Sequence, residues 1–190
     1  MHLILASASP RRLELLARIG ATVAEVDPAA IDETPLPRET PADYARRIAA
    51  AKAAIVGARH PGAVILAADT VVATGRRILP KAADDAEVRA CLMLLSGRRH
   101  RVLSAVSVVD AAGVARHRLA TSIVAFGPLS TAAIDAYAHC GEGVGKAGGY
   151  AIQGRAEMFV RFLSGSHSGV VGLPLFEARA LLTTAGIPVG

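Results

Sequence analysis

The stretch LILASASPRRLELLARIG, residues 3–20, changes character twice within a few positions. His2 to Ala6 are apolar enough to predict a short buried strand. Ser9 is a good N-cap, Pro10 suits the first helical position, and Leu13, Leu16 and Ile19 fall on one helical face before Gly20 stops the run. A strand that passes through small residues into a helix leaves free N–H groups and a positive dipole end at the junction. Arg11 and Arg12 add donors that can grip an oxyanion in pairs. Serines, a helix start and paired positive charge together suit a phosphate group.

Residues 21–28 predict a second strand and residues 31–41 a Pro-rich polar loop. Thr40, Pro41 and Asp43 make a capping-box start for a helix over residues 42–58. AVILAADTVVAT, residues 63–74, is apolar and β-branched, the pattern of a strand buried on both faces. A turn and a helix ending at Gly97 follow. Residues 101–110 and 114–126, separated by Ala-Ala-Gly, predict paired antiparallel strands. Residues 130–141 form a helix capped by Ser130; YAIQG (150–154) and AEMFVRFLSG (156–165) look strand-like; residues 173–186 close the chain as a helix. Elements alternate at first and strands cluster later, which predicts an α/β fold with a mixed sheet. No internal repeat or linker divides residues 1–190, so one domain is expected.

The chain has 190 residues, of which 52% are hydrophobic, enough for a substantial core. Its apolar runs fall short of the ~20 residues of a membrane span, and no cationic leader precedes an apolar segment. A cytoplasmic protein with no membrane partner is expected. Cys91 and Cys140 are too few for a disulfide framework and lack metal spacing. The net charge of +5 raises the question of nucleic acid. The basic residues stand in scattered pairs and only 4% of residues are aromatic, leaving few stacking platforms for bases. A cleft for a small polyanion accounts for the charge equally well.

Several motifs fail on context. Gly143, Gly145 and Gly148 match G-x-G-x-x-G, but a helix precedes them and a strand-like segment follows, the reverse of a dinucleotide site. Gly145-Lys146 resembles a P-loop tail, yet Ala147 occupies the position of the metal-binding hydroxyl. In GSHSG, residues 165–169, histidine takes the place of a nucleophilic serine. The six histidines show no i, i+4 pairing.

What remains is a set of polar residues where packing does not ask for them. Asp69 follows an apolar run, at the expected carboxyl end of a buried strand, where ligands of open α/β sheets bind. A carboxylate there is costly unless paired, metal-bound or solvated in a cleft. Asp32 and Glu33 lie in a loop, Lys52 on an Ala-rich helix, and Lys81 and Lys146 near loops. Gln153, flanked by strand-like residues, needs a hydrogen-bond partner.

Taken together, LASASPRRLELL, IDE, AADTVV, KAGGYAIQG and VVGLPL resemble the signature blocks of the Maf family of nucleoside triphosphate pyrophosphatases, in the family's order and across essentially the whole chain. The resemblance implies an elongated α/β fold, its mixed sheet and flanking helices forming two lobes around a cleft, similar to the inosine triphosphate pyrophosphatases. It implies hydrolysis of a nucleoside triphosphate to monophosphate and pyrophosphate, a divalent cation (Mg²⁺ or Mn²⁺) and a homodimer. It makes Asp69 the catalytic aspartate, with Glu33, Lys52 and Lys81 beside it. Ser7, Ser9, Arg11 and Arg12 fall on the phosphate loop, and Lys146 and Gln153 match other cleft positions. Asp69 and Glu33 make a carboxylate pair suited to Mg²⁺; whether Asp69 is the base or a metal ligand stays open at this level.

This chain departs from the family pattern at Pro80 and Ala82, where glycine and proline usually flank the lysine, and at Gly145, where aspartate usually precedes Lys146. Arg11, Thr70 and Gln153 match the branch that prefers dTTP and UTP; tryptophan, glutamine and glutamate mark the 7-methylguanosine triphosphate branch. A glutamine amide both donates and accepts, as a neutral pyrimidine edge requires, and Thr70 leaves room for a pyrimidine ring. A nucleotide-binding cell-division protein without catalysis is the alternative reading, and a nucleic-acid-binding module a weaker one.

Overall fold

A computed structural model describes residues 2–190. Its strands are β1 (Leu3–Leu5), β2 (Val23–Val26), β3 (Val64–Thr74), β4 (Arg77–Ile78), β5 (Arg99–Val109), β6 (Ala115–Phe126) and β7 (Val160–Ser164). Its helices are α1 (Pro10–Arg18), α2 (Pro41–Arg59), α3 (Asp85–Leu95), α4 (Thr131–His139), α5 (His167–Val171) and α6 (Leu175–Thr184). The strands make one mixed sheet in the order β2-β1-β3-β5-β6-β7, with β4 paired to β3. β1 runs parallel to β2 and β3, while β3, β5, β6 and β7 are successively antiparallel.

Helix boundaries follow local chemistry. The Asp43 N–H donates to the Thr40 hydroxyl at 3.2 Å, and the Ala133 N–H to Ser130 at 3.2 Å, as N-caps do. Ser9 occupies the N-cap of α1 but makes no side-chain cap; its own N–H donates to Ser7 Oγ instead. The buried face of α1 is set by Leu15 and Leu16, and Leu13, expected inside, is 42% exposed. With only nine residues, α1 turns to fit its neighbours rather than its own apolar spacing.

Side-chain alternation along β3 and β5 assigns the helices to two faces. Ile65, Ala67 and Val71 pack with α2, through Ile48, Ala53 and Val56. Burying Ile48 and Val56 completely contributes about 1.5–3 kcal/mol each. The opposite face carries two separate clusters. One joins Leu3, Leu5, Leu66 and Val106 to α1 and α6; the other joins Val72, Val102 and Val124 to α3 and α4. These clusters are the cores of two lobes that share one sheet.

Several elements differ from expectation, two of them at the site. YAIQG is a turn leading into a 3₁₀ segment, Arg155–Phe159, and only Val160–Ser164 forms a strand. Asp69 lies within β3 rather than at its end, because β3 continues to Thr74. β1, however, pairs with β3 only as far as Leu66. Beyond that point β3 loses its parallel neighbour, and the cleft opens along the bared edge.

Candidate active site

The edge of β3 left open by β1 brings both faces of the strand to one cleft. Asp69 pairs in register with Ala105 and faces α2; Thr70 pairs with Ser104 and faces α5. The cleft has a volume of about 370 Å³, and it is lined by all eleven residues that the family resemblance marks as catalytic or substrate-binding. Arg11, Arg12, Lys52, Lys81 and Lys146 face only two carboxylates, Asp69 and Glu33, so the walls carry an excess of three positive charges. Such a cavity is built for a polyanion.

The centre is a chain of ion pairs. Lys52 Nζ sits between Glu33 Oε1 at 2.6 Å and Asp69 Oδ1 at 3.1 Å, and Lys81 Nζ donates to Glu33 Oε2. Lys52 is therefore not the exposed solubilising residue its Ala-rich helix suggests; it is 8% exposed. Burial pushes the Asp69 carboxyl up, against the opposing pull of Lys52 and Arg12. Glu33 goes the other way: burial alone would raise it, but Lys52 and Lys81 together hold it below the usual carboxylate range. Two carboxylates bridged by one ammonium thus have different proton affinities, as acid–base chemistry requires.

Around this centre, Arg12 Nη1 donates to Ser7 Oγ at 2.7 Å, and Arg12 Nε to the Gly172 carbonyl at 2.9 Å. The Arg11 Nε is buried without a hydrogen-bond partner among the described residues, and burial lowers the Arg11 guanidinium. Lys146 is likewise lowered by burial, with Arg11 adding to the effect. A phosphate would bring the counter-charge that suits both cations. Asp32, next to Glu33, is occupied locally: its Oδ1 accepts the Thr34 N–H at 2.8 Å and turns the loop.

The loops bearing Lys81 and Lys146 are stitched together. Lys81 and Ala147 form an antiparallel bridge, the Ala82 N–H donates to the Lys146 carbonyl at 3.1 Å, and the Gly145 N–H to the Ala82 carbonyl at 2.7 Å. Gly145 has φ +73°, a left-handed angle that glycine adopts freely and aspartate tolerates. The departure from the family pattern there is compatible with the same turn. Gly143 is required by crowding, since a Cβ would lie 2.4 Å from the Gly149 carbonyl. These glycines serve a tight loop and not a dinucleotide.

Beyond the stitch, the Tyr137 hydroxyl accepts the Ala151 N–H at 3.0 Å, and the Tyr150 hydroxyl pairs with His100 Nε2 at 2.8 Å. Burial pushes His100 down to about 4, so the imidazole is neutral. Thus anchored, the loop ends at Gln153, which is exposed at the cleft rim in a turn, with no side-chain hydrogen bond among the described residues. Its amide is free to meet a ligand.

Two contributors escaped sequence reading. Tyr44 donates to the Glu33 carbonyl at 2.8 Å and fixes that loop; burial, with Asp69 and Glu33, pushes its hydroxyl up to about 12. A lone tyrosine in an Ala-rich helix was its only signal. Gly172 sits in the VVGLPL block, whose residues carry no charge.

The model of the Maf-like protein family matches residues 2–185. A protein of Sphingopyxis alaskensis named dTTP/UTP pyrophosphatase is 63% identical over 188 residues, covering 99% of this chain and 98% of its own. A protein of the same name from Novosphingobium aromaticivorans is 59% identical, covering 99% and 94%. The solved structure of a HAM1 protein from Coxiella burnetii superposes with a TM-score of 0.53 over 97% of this chain and 99% of that one; at 16% identity the likeness is one of fold. With its signature blocks gathered around one cleft and the family match running almost end to end, the chain belongs to the Maf-like protein family.

Proposed function

We propose that this chain is a nucleoside triphosphate pyrophosphatase that hydrolyses dTTP and UTP to the monophosphate and pyrophosphate. The observation that carries the proposal is Asp69, a buried carboxylate of raised proton affinity in a cleft walled by five cations. The name of the full-length relatives supports the pyrimidine substrates. A regulator without catalysis has no use for such a base.

In this reading Ser7, Ser9, Arg11 and Arg12 hold the phosphate chain and Lys146 neutralises it from the facing loop. Asp69 takes a proton from a water that attacks the α-phosphorus; the bond from that phosphorus to the bridging oxygen breaks, and pyrophosphate leaves. Lys52 keeps Asp69 oriented, Glu33 holds Lys52 and Lys81 in place, and Lys81 stabilises the leaving charge. Gln153 reads the base edge, with Arg11 and Thr70 shaping the space beside it.

Among the described residues no cluster of three or more His, Cys, Asp or Glu side chains could hold a metal ion. Asp69 Oδ2 makes no hydrogen bond among the described residues, whereas both Glu33 oxygens are engaged by lysines. The donor set fits a Mg²⁺ or Mn²⁺ that Asp69 and Glu33 would hold together with phosphate oxygens and water. Such an ion would supply charge neutralisation on the phosphates. EDTA is expected to stop turnover and added Mg²⁺ or Mn²⁺ to restore it. The homodimer rests on the family resemblance, the single catalytic unit over residues 1–190 on a sequence that no repeat or linker divides, and the cytoplasmic location on apolar runs too short for a membrane span.

The test is kcat/KM for dTTP, UTP, ATP, GTP and 7-methylguanosine triphosphate, read by pyrophosphate release. dTTP and UTP are expected well ahead of the rest; a purine preference would refute the assignment of base.

A further inference from the structure

The VVGLPL block has no charged or nucleophilic side chain, yet it lies against the cleft. Its Gly172 caps α5 with φ +146° and ψ −1°, a conformation open to glycine and strained for other residues. Space is not the reason for the glycine: a Cβ there would meet nothing nearer than Arg12 Nε at 3.9 Å. The backbone angle is. It presents a carbonyl that accepts from Arg12 Nε at 2.9 Å and from Thr70 Oγ1 at 3.3 Å.

The turn bearing this carbonyl is fastened to the sheet by buried hydroxyls. Ser104 Oγ donates to the Gly169 carbonyl at 2.6 Å, Ser122 Oγ to the Ser166 carbonyl at 3.2 Å, and the Ser166 N–H returns to Ser122 Oγ at 2.9 Å. Ser104 and Ser122 are each 1% exposed. A hydroxyl has one proton. Ser104 gives its proton to Gly169, so Thr70, 3.0 Å from Ser104 Oγ, gives its own to Ser104 or to Gly172. Both options tie Thr70 to the α5 turn and leave no proton for a base edge.

We propose that Gly172 is a positioning residue, whose carbonyl sets the Arg12 guanidinium for the triphosphate, and that Thr70 acts on substrate through this turn rather than by donating to the base. The inference rests on the reading of the cleft as a nucleotide phosphate site. Ser7 holds Arg12 from the other side through Nη1, so the fork is fixed at two points before any ligand arrives. Prefixing a guanidinium removes ordering cost from binding.

The test uses a probe without a base. Inorganic tripolyphosphate affinity is measured by calorimetry, and dTTP kinetics are measured in parallel. Gly172→Ala is expected to weaken tripolyphosphate roughly tenfold and Thr70→Val roughly threefold, the losses of one charged and one neutral hydrogen bond. KM for dTTP should rise by similar factors with kcat less affected. Arg12→Lys keeps the charge but lacks Nε–H, so Arg12→Lys/Gly172→Ala should bind no more weakly than Arg12→Lys alone. Additive losses, or a Thr70→Val variant that binds tripolyphosphate like wild type while losing dTTP turnover, would overturn the inference. If Gly172→Ala fails to fold by circular dichroism, the Thr70→Val and Arg12→Lys cycle decides in its place. Wild-type binding of tripolyphosphate without pyrophosphate release from any nucleotide would refute the activity while the affinity factors still judged Gly172; no tripolyphosphate binding at all would refute both.

Discussion

Replacing Asp69 by asparagine separates the chemistry of this carboxylate from its place in the fold. The side chain keeps its shape, and its amide oxygen can still accept from Lys52, which lies 3.1 Å from Oδ1. What is lost is the proton acceptor and the negative charge. A positioned general base contributes about 10²–10⁴ in rate, or about 3–5 kcal/mol of barrier, and kcat for dTTP should fall by that factor. Stability should not fall with it. Burial raises the Asp69 carboxyl, so the folded chain binds this proton more tightly than the unfolded chain does. The stabilisation from protonation is complete below the ordinary aspartate range, near ~4, and is lost as pH rises through the folded value. At neutral pH the ionised wild-type side chain costs the fold something that asparagine does not. Differential scanning calorimetry at pH 5 and pH 8 should therefore show Asp69→Asn at or above wild type at pH 8, with the gap closing toward acid. Pyrophosphate release from dTTP supplies the activity. A variant that keeps more than roughly a tenth of wild-type kcat would remove Asp69 from the role of base. A Tm several degrees below wild type at pH 8 would show that its charge holds the fold together instead.

Other perturbations probe separate parts of the site. Gln153→Glu puts a carboxylate opposite a pyrimidine carbonyl with no donor between them; kcat/KM for dTTP should fall about tenfold, and an unchanged value would remove Gln153 from base recognition. Lys52→Met deletes the ammonium that holds Asp69 down, so the acid limb of kcat/KM should move to higher pH as kcat falls; a limb that stays in place would mean that Asp69 is not the titrating base. Gly143→Ala drives a Cβ to within 2.4 Å of the Gly149 carbonyl. Overpacking of this kind costs about 1–3 kcal/mol, a Tm loss of roughly 3–10 °C in a chain of this size, which a thermal melt would register.

The sequence carried the architecture where pattern and packing agree. β3 is apolar on both faces because helices cover both, and the antiparallel pair around Ala-Ala-Gly formed where turn and β-branched residues coincide. The site residues came to one cleft because a long strand without its neighbour beyond Leu66 exposes an edge that a string of letters does not reveal. The misreadings share that origin. YAIQG has strand-like composition, but Tyr137 and His100 draw its backbone and ring into a turn. α5 is too short to show helical periodicity and exists through hydroxyls donated from β5 and β6, which lie far from it in sequence. Lys52 was indistinguishable from a solvated lysine because its partners, Glu33 and Asp69, stand on a distant loop and strand that only the fold brings to it.

Cleavage between the α- and β-phosphates is decided by identifying the products of dTTP hydrolysis with ³¹P NMR and ion-exchange chromatography. dTMP and pyrophosphate are expected in equal amounts, with no orthophosphate at early times. Accumulation of dTDP with orthophosphate would contradict it, because the attack would then fall on the terminal phosphate, and Asp69, Arg12 and Lys81 could not hold the roles of base, phosphate anchor and leaving-group stabiliser.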